Sequence, residues 1–535
     1  MNHYKLALPV LLLVLAVAVS YANSLDVDFV YDDYAFVVNN TAIRTFTPLS
    51  KFFFSPEAFS QPASNHVYRP LASFTFALNY ALNGLNPVGY HIVNLVFHTL
   101  NALLLLLLLW QIGLEYGPAF AAALLFAVHP VHTEGVTWIS GRGNVLFLLF
   151  FLLAYLQYIK ADSAAGVRRL VLLSGALAAY AVSLLAKEMA LPLPAILFGH
   201  DLYFRRECGR KQWRRRLAAY APFVIITVGY VLLRANVLGR VGQVPYHGGS
   251  PYVTFLLMLR AIVIYARLLF LPVGLSLSRH FQPHVSIFDS AVFPSFCLIL
   301  IAGAVAVVTI RRERRISFAL YWFAVTLLPV SNIIPVNAIV ADRFLYGPSV
   351  AFCIFFGVWV AAAGRTTGLR LLTATATAAI VIWLALLCIG RNNDWKNTFV
   401  LWSKTAKSSP TSFVAFNNLG FEYMKRGQIP EAVEALNEAV KLKDDLPEPH
   451  INLARCYSRM GRIDEAIFHY KAALPHLEKK ADTYYELGEL YFRLRDMPHA
   501  ADALLSALAL DPHDGRAQEL LKQIEKTPLS DQISD

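Results

Sequence analysis

Two hydrophobicity patterns divide the chain. Up to about residue 390, apolar runs of membrane-spanning length follow one another, broken by short polar or basic stretches. A helix needs about 20 mostly apolar residues to cross the hydrocarbon core. Helices of a soluble core would keep a polar face, which these runs lack. The pattern predicts eleven spans: Leu6–Tyr21, Val88–Trp110, Pro118–Val136, Val145–Ile159, Leu170–Ala186, Ala190–Phe204, Leu217–Leu233, Ala291–Ile310, Phe318–Val330, Phe344–Ala363 and Leu371–Ile389. The first is read as an uncleaved span, not a signal peptide, because no small-residue cleavage site leads to a polar mature start.

From Phe413 the apolar runs give way to a 34-residue period. Leu419-Gly420, Leu453-Ala454 and Leu487-Gly488 recur in register, as do Tyr423, Tyr457 and Tyr491, and Ala432, Ala466 and Ala500. Pro512 stands at a repeat end. This is the tetratricopeptide (TPR) pattern, in which small residues let paired helices approach and larger ones fill the gap between them. The predicted fold class is all-α: a polytopic helix bundle followed by a TPR solenoid. The expected divisions are a membrane domain at 1–390 with a long first loop at 23–87, a junction and half-repeat at 391–412 carrying Trp402 and Pro410, three repeats with a capping helix at 413–526, and a tail at 527–535. Such arrays present a groove to a protein or peptide, so the array implies a partner and not chemistry.

Composition agrees: 56% of the 535 residues are hydrophobic and 16% charged, against about a quarter charged in soluble domains. The net charge of +11 does not indicate nucleic acid, because the arginines cluster between apolar runs. They orient the spans instead. Placing the basic connections 160–169, 205–216, 311–315 and 365–370 in the cytoplasm makes the spans alternate, provided Phe255–Leu271, with Arg260 and Arg267, is interfacial or re-entrant. The N-terminus is then cytoplasmic, and the first loop and the TPR region share the periplasmic or lumenal side. The five cysteines (Cys208, Cys297, Cys353, Cys388 and Cys456) form no CxxC pair, so neither a disulfide framework nor a thiolate metal site is expected.

Candidate chemistry falls on the outer side. Tyr31-Asp32-Asp33-Tyr34 follows the first span. Adjacent carboxylates at a membrane interface are costly unless hydrated, paired or used. One could serve as a general base, and Asp32 or Asp33 could instead hold a divalent cation; a solvated turn is the bland reading. His129, His132 and Glu134 lie in HPVHTE, where Pro130 interrupts any helical metal-ligand spacing. Arg142 follows in SGRGN, and Lys187-Glu188 joins two spans. Arg69, Arg234, His280 and Arg343 also lie on or beside outer segments. Outward arginines run against the positive-inside bias, and a lipid phosphate is a suitable partner because guanidinium binds it bidentately. Snorkelling to ordinary headgroups is the alternative. Together these residues suit transfer from a polyprenyl-phosphate sugar to a hydroxyl, a reaction needing no soluble nucleotide and no certain cofactor.

YDDY, YRPL, HPVHTEGVTWISGRGN, AKE, LPVGLSLSRHF and ADRFLYGPS resemble motifs of the transmembrane and TPR-repeat-containing O-mannosyltransferase family. The resemblance implies a GT-C fold, a catalytic carboxylate at Asp32 or Asp33, and lipid-phosphate contacts shared among Arg69, Arg142, Arg234 and Arg343. It also implies mannose-like transfer to protein Ser or Thr. The short array and few cysteines suit a bacterial relative in an inner membrane; a eukaryotic one would sit in the endoplasmic reticulum. Two other readings compete at this point: a non-catalytic membrane anchor presenting TPR repeats, and a transporter of a lipid-linked sugar. The transporter reading requires ionisable residues lining a path through the spans.

Overall fold

The structure is a computed structural model and describes residues 4–61, 67–205, 210–239, 244–365 and 367–526. Cys208 and the 527–535 tail lie outside the described residues. The described chain is helical, with no strand. It divides into two compact units, Met1–Thr398 and Phe399–Asp535.

The first unit is a bundle of long apolar helices: α1 (Tyr4–Tyr21), α2 (Pro70–Asn83), α3 (Pro87–Gln111), α4 (Tyr116–Val128), α5 (Arg142–Asp162), α6 (Gly166–Ala186), α7 (Leu193–Phe204), α8 (Arg210–Leu238), α9 (Pro251–Phe270), α10 (Phe293–Arg312), α11 (Arg314–Leu327), α12 (Ser349–Ala363) and α13 (Thr367–Asn393). Among the described residues eight helices are long and apolar enough to cross a membrane, or nine if α4 and the turns after it count as one span bent by 47°. The chain is a multi-pass membrane protein. The set differs from the eleven expected spans. Helices α7, α11 and α12 have only 12, 14 and 15 residues, while α9, expected to lie in the interface, has 20 and passes the length test. The short helices stop where polar or proline-containing turns take over: Lys187–Pro192, Leu328–Val330 and Asp342–Pro348.

Helix α9 and the turn before it make polar contacts with three segments. His247, just before it, bonds the Val336 carbonyl at 2.8 Å, and Tyr265 bonds the Ile339 carbonyl at 3.4 Å. Its C-terminal end supplies the Leu269 carbonyl to His129. Arg260 reaches His284 at 2.7 Å.

A polar stripe runs along α3. His91, Asn94, His98 and Asn101 are spaced to fall on one face, and all four are buried. His98 bonds the Tyr346 hydroxyl and the Ala127 carbonyl. Asn101 donates to the Val145 carbonyl at 2.9 Å. The stripe therefore ties α3 to α4, α5 and the start of α12.

The second unit contains α14 (Thr398–Ser408), followed by the pairs α15 (Phe413–Lys425) and α16 (Ile429–Leu442), α17 (Pro447–Arg459) and α18 (Ile463–Ala473), and α19 (Ala481–Arg493) and α20 (Met497–Leu510), then α21 (Gly515–Lys526). The small residue of the period is what each pair requires. A Cβ on Gly420 would sit 2.6 Å from Leu436 Cγ, and one on Gly488 2.7 Å from Leu504 Cγ. Ala432, Ala466 and Ala500 are fully buried between the paired helices.

Candidate active site

The site is assembled where the first loop, the turns between α4 and α5, the α6–α7 connection, the end of α8 and the turn before α12 meet. The two adjacent carboxylates separate at once. Asp33 is fully buried. Its Oδ1 accepts from the Ser140 amide at 2.7 Å and from the Ser140 hydroxyl, and its Oδ2 accepts from the Val30 amide at 3.0 Å. Both oxygens are occupied in pinning the YDDY turn to the Ile139–Gly141 turn. Burial pushes the Asp33 carboxyl up to about 7, against the Ser140 and Val30 hydrogen bonds.

Asp32 is different. It is half-buried and its carboxylate makes no hydrogen bond among the described residues. Burial pushes it up to about 6, with Arg343 and then Arg69 pulling it down. The turn that presents it is strained: Tyr31 adopts a left-handed φ of 51°, which a bulky residue rarely does. The Tyr31 ring stacks on Trp138, centroids 6.2 Å apart, and Trp138 stacks on Trp395 at 5.7 Å. This stack holds the turn in place against the end of the last span.

The basic residues also divide. Arg142 is fully buried and bound to Asn94 Oδ1 at 2.8 Å, Asn79 Oδ1 at 2.6 Å, and the carbonyls of Thr75 and Tyr90. These four hydrogen bonds join α2, α3 and α5 and leave one N–H of Nη2 over. His129 and His132 are likewise occupied: His129 by the Leu269 carbonyl and the Val131 amide, His132 by the Phe126 carbonyl and the Ser349 hydroxyl. Glu134 is buried and accepts from the Arg343 amide at 2.9 Å and from the Arg343 guanidinium. It anchors Arg343 beside Asp32.

Arg69 and Arg234 have no such anchors. The Nε of each is buried without a hydrogen-bond partner. The hydroxyls of Tyr68 and Tyr230, whose rings lie 6.0 Å apart, are also buried and unpartnered. Arg69 lies over Gly143, where a Cβ would come within 3.6 Å of its Cδ. Lys187 is buried, donates to Asn144 Oδ1 at 2.6 Å and faces the Phe344 ring. Burial, then the neighbouring Arg69, holds its ammonium well below the usual lysine range. Glu188 faces Arg69, Arg234 and Lys187; burial raises its carboxyl, but these three cations outweigh that and hold it below the usual range. The cluster thus sets Arg69, Lys187, Arg234 and Arg343 against Asp32, Glu134 and Glu188.

His280 lies in the loop after α9, beside a tie that motif reading alone did not single out. Asp342 accepts from Arg279 Nη1 at 2.5 Å and from the Ser276 amide at 2.9 Å, fastening SRHF to ADRF. Ser140, Asn79, Tyr68 and Tyr230 are not among the expected site residues, although Tyr68 opens YRPL and Ser140 opens SGRGN. Among the described residues no three His, Cys, Asp or Glu side chains converge as metal ligands. With both Asp33 oxygens occupied and two arginines beside Asp32, the donor set does not fit a resident hard cation, which takes six to eight or octahedral oxygen ligands. What the arrangement offers is a carboxylate able to accept a proton, next to buried guanidinium donors able to hold an anion.

Comparison with known proteins matches residues 420–461 and 481–514 to tetratricopeptide-repeat family models. Over most of the chain the curated relatives are protein O-mannosyl-transferases. The mouse TMTC3 protein is 28% identical, the alignment covering 87% of this chain and 54% of the relative. The Drosophila melanogaster Tmtc3 protein is 27% identical over 84% of this chain and 57% of its own length. Human TMTC4 is 29% identical over 78% and 64%. The chain spans little more than half the length of the first two relatives.

Proposed function

We infer that this multi-pass protein is a membrane glycosyltransferase that moves a hexose, mannose in its named relatives, from a polyprenyl-phosphate donor to a protein hydroxyl. The observation that carries the reading is the contrast within one dipeptide. Asp33 is fully hydrogen-bonded, while Asp32 is unbonded and faces arginines. A structural turn has no use for a half-buried carboxylate left free beside unpartnered guanidinium groups, since an unpaired buried charge is costly.

In the proposed reaction the acceptor hydroxyl attacks C1 of the sugar as its proton passes to Asp32. The bond from C1 to the phosphate oxygen breaks, and the leaving polyprenyl phosphate keeps the electron pair. Arg69 and Arg234 stabilise the charge that grows on that phosphate, each with a donor already desolvated and unoccupied. Arg343, fixed by Glu134, keeps Asp32 ionised near neutral pH. Guanidinium groups in this role replace a divalent cation, so transfer should persist in chelator. Attack from the face opposite the phosphate inverts the anomeric centre.

The first unit bears on orientation. The end of α13 joins the site end of the bundle, where Asn392 accepts from the Thr137 hydroxyl at 2.7 Å and donates to the Ser20 carbonyl and to Asn23. The basic connections lie at the opposite ends of the helices, which suits a cytoplasmic basic end and a periplasmic or lumenal site. The TPR unit supports a role in holding an acceptor protein or a partner.

The test uses the purified full chain in lipid with radiolabelled polyprenyl-phosphate mannose and a Ser/Thr-rich acceptor. Asp32→Asn should lower transfer by about 10²–10⁴-fold without lowering the melting temperature. Full transfer by that variant would mean the protein is a scaffold, not an enzyme of this kind.

A further inference from the structure

A second cavity lies far from Asp32. It has a volume of about 550 Å³ and runs between α12 and α13 on a floor made by α4, at the end of the bundle that carries the basic connections. Its size falls within the range of ligand pockets, roughly 300–1,000 Å³. The walls are mostly apolar, with Ala361 on α12 and Ala374 and Ala378 on α13 opening the groove between larger residues such as Phe120, Leu124 and Ile382. Helices α12 and α13 both pack on α4 and touch each other less, so the gap between them is part of the bundle's architecture.

The rim and the interior carry different chemistry. Arg370 stands at the rim, its Nε–H donated to the Gly364 carbonyl at 3.1 Å, which fixes an otherwise exposed guanidinium at the mouth. Glu115 shares the rim. Around them are Arg315, which donates to the Gly113 carbonyl and is paired with Glu313, and the exposed Arg365. Inside, Thr377 is exceptional among the threonines of α13. Thr373 and Thr375 bond back to the Leu369 and Leu371 carbonyls at 2.7 and 2.9 Å. The Thr377 hydroxyl is buried without a partner and lines the cavity. It lies seven residues, about 10 Å, along the helix from Arg370.

We propose that this cavity is a binding site for one anionic phospholipid of the leaflet on the side opposite Asp32. Arg370 takes the phosphate, the Thr377 hydroxyl donates to an acyl-ester carbonyl, and one acyl chain fills the groove between α12 and α13. The spacing suits this molecule: the polar interfacial layer of a bilayer is roughly 5–8 Å deep on each side, so a cation and a hydroxyl about 10 Å apart bracket a glycerophosphate and its esters. A cavity lined mostly by apolar residues in a membrane bundle is filled by acyl chain, not by water. The arginine at its mouth makes the choice of headgroup, at about 1 kcal/mol per basic residue near an anionic surface. The proposal does not depend on the chemistry at Asp32.

The test is native mass spectrometry of the full chain released from nanodiscs of equal parts phosphatidylcholine and phosphatidylglycerol. The wild type should retain phosphatidylglycerol over phosphatidylcholine. Arg370→Gln should lower that enrichment about fivefold, the equivalent of one such contact. Ala378→Phe, which fills the groove, should abolish retention of either lipid, and Ala374→Leu serves if the phenylalanine variant does not insert. Arg312→Gln, an exposed arginine of the same end that does not line the cavity, should change nothing. Equal losses from Arg312→Gln and Arg370→Gln would reduce the effect to bulk surface charge and overturn the proposal. Undiminished enrichment in the groove-filling variants would also overturn it.

Discussion

The bundle contains two buried polar clusters of similar size, and they are built on opposite terms. At the end away from Asp32, Asp201 is fully buried and accepts from the Tyr158 hydroxyl at 2.7 Å, the Tyr220 hydroxyl at 2.5 Å and Arg205 at 2.9 Å. Arg205 and Arg216 also face Asp162, and His200 bonds the Tyr155 hydroxyl at 2.8 Å. Apart from Arg216 Nη1, which is buried and unbonded, its charged groups find protein partners, and the cluster fastens α5, α7 and α8 together. At the other end Asp32 has no donor, and Arg69 Nε, Arg234 Nε and the hydroxyls of Tyr68 and Tyr230 have no acceptor. Buried polar groups are normally satisfied, so the larger deficit at the Asp32 end fits the proposed ligand site, while the other end, with Arg216 Nη1 as its exception, holds helices together. Ionisable residues do lie within the helices, among them His91, His98, His200 and Asp201, but each of these is bonded to a neighbouring segment as a tie.

The comparison is broken most directly at Asp32. Asp32→Asn should lower transfer about 10²–10⁴-fold, the usual worth of a positioned base, and hold or raise the thermal midpoint at neutral pH, because it removes a charge that burial disfavours. Asp33→Asn keeps a similar shape but turns one of two accepting oxygens into a donor that faces a backbone N–H of Val30 or Ser140, so it should act through folding: poor insertion or a lowered midpoint, with residual transfer in proportion to folded protein. If the two variants behave alike, the division of labour read from their hydrogen bonds is wrong.

Next come the unpartnered donors. Arg69→Gln and Arg234→Gln should each cost about 10–10²-fold, somewhat less than the loss of one strong oxyanion donor, chiefly in kcat. A loss confined to KM would make them ground-state anchors instead. Arg142→Gln provides the contrast: four of its five N–H donors are held by protein, so it should fail in stability before it fails in chemistry.

A pH profile sharpens the picture further. With the Asp32 carboxyl raised to about 6 by burial, kcat/KM should fall about tenfold per pH unit below that value and level off above it. Arg343→Gln removes the first of the two cations pulling the carboxyl down, so the acid limb should move to higher pH. The stability term has the opposite slope. The folded protein holds this proton between the ordinary carboxylate range and about 6, so its contribution from Asp32 declines as pH rises through that window.

How much of this was legible beforehand depends on the range of the interactions. The TPR repeats are local, and their small residues recur every 34 positions because Gly420 and Gly488 each meet a leucine of the partner helix in the same repeat. The membrane nature of the first unit is legible for the same reason. The site is not local. YDDY draws attention to both carboxylates, but what distinguishes them is Ser140, 107 residues away. Glu134 anchors Arg343 across 209 residues. Residue type alone put His129, His132 and Arg142 on a footing with Arg69 and Arg234, because nothing in the chain order tells an occupied donor from a free one. Span counting met a related obstacle: α7 and α12 are shortened by the turns that carry Lys187-Glu188 and Arg343, and α11 by the proline turn Leu328–Val330.

The smallest expected effect on chemistry tests the other side of the comparison. Asp201→Asn should cost about 1–3 kcal/mol of stability, the worth of a hydrogen-bonded buried charge, and leave kcat/KM and its pH dependence unchanged in the protein that inserts. The reason is architectural. Asp201 closes the end of the bundle remote from Asp32, and the helices it joins also meet through apolar packing of Tyr158, Phe223 and Tyr180. Loosening that end should be felt as a lower midpoint in detergent. A displaced acid limb in Asp201→Asn would mean that the two clusters communicate through α5, whose first residue is Arg142 and whose last is Asp162, and the satisfied end would then have to be counted as part of the catalytic apparatus.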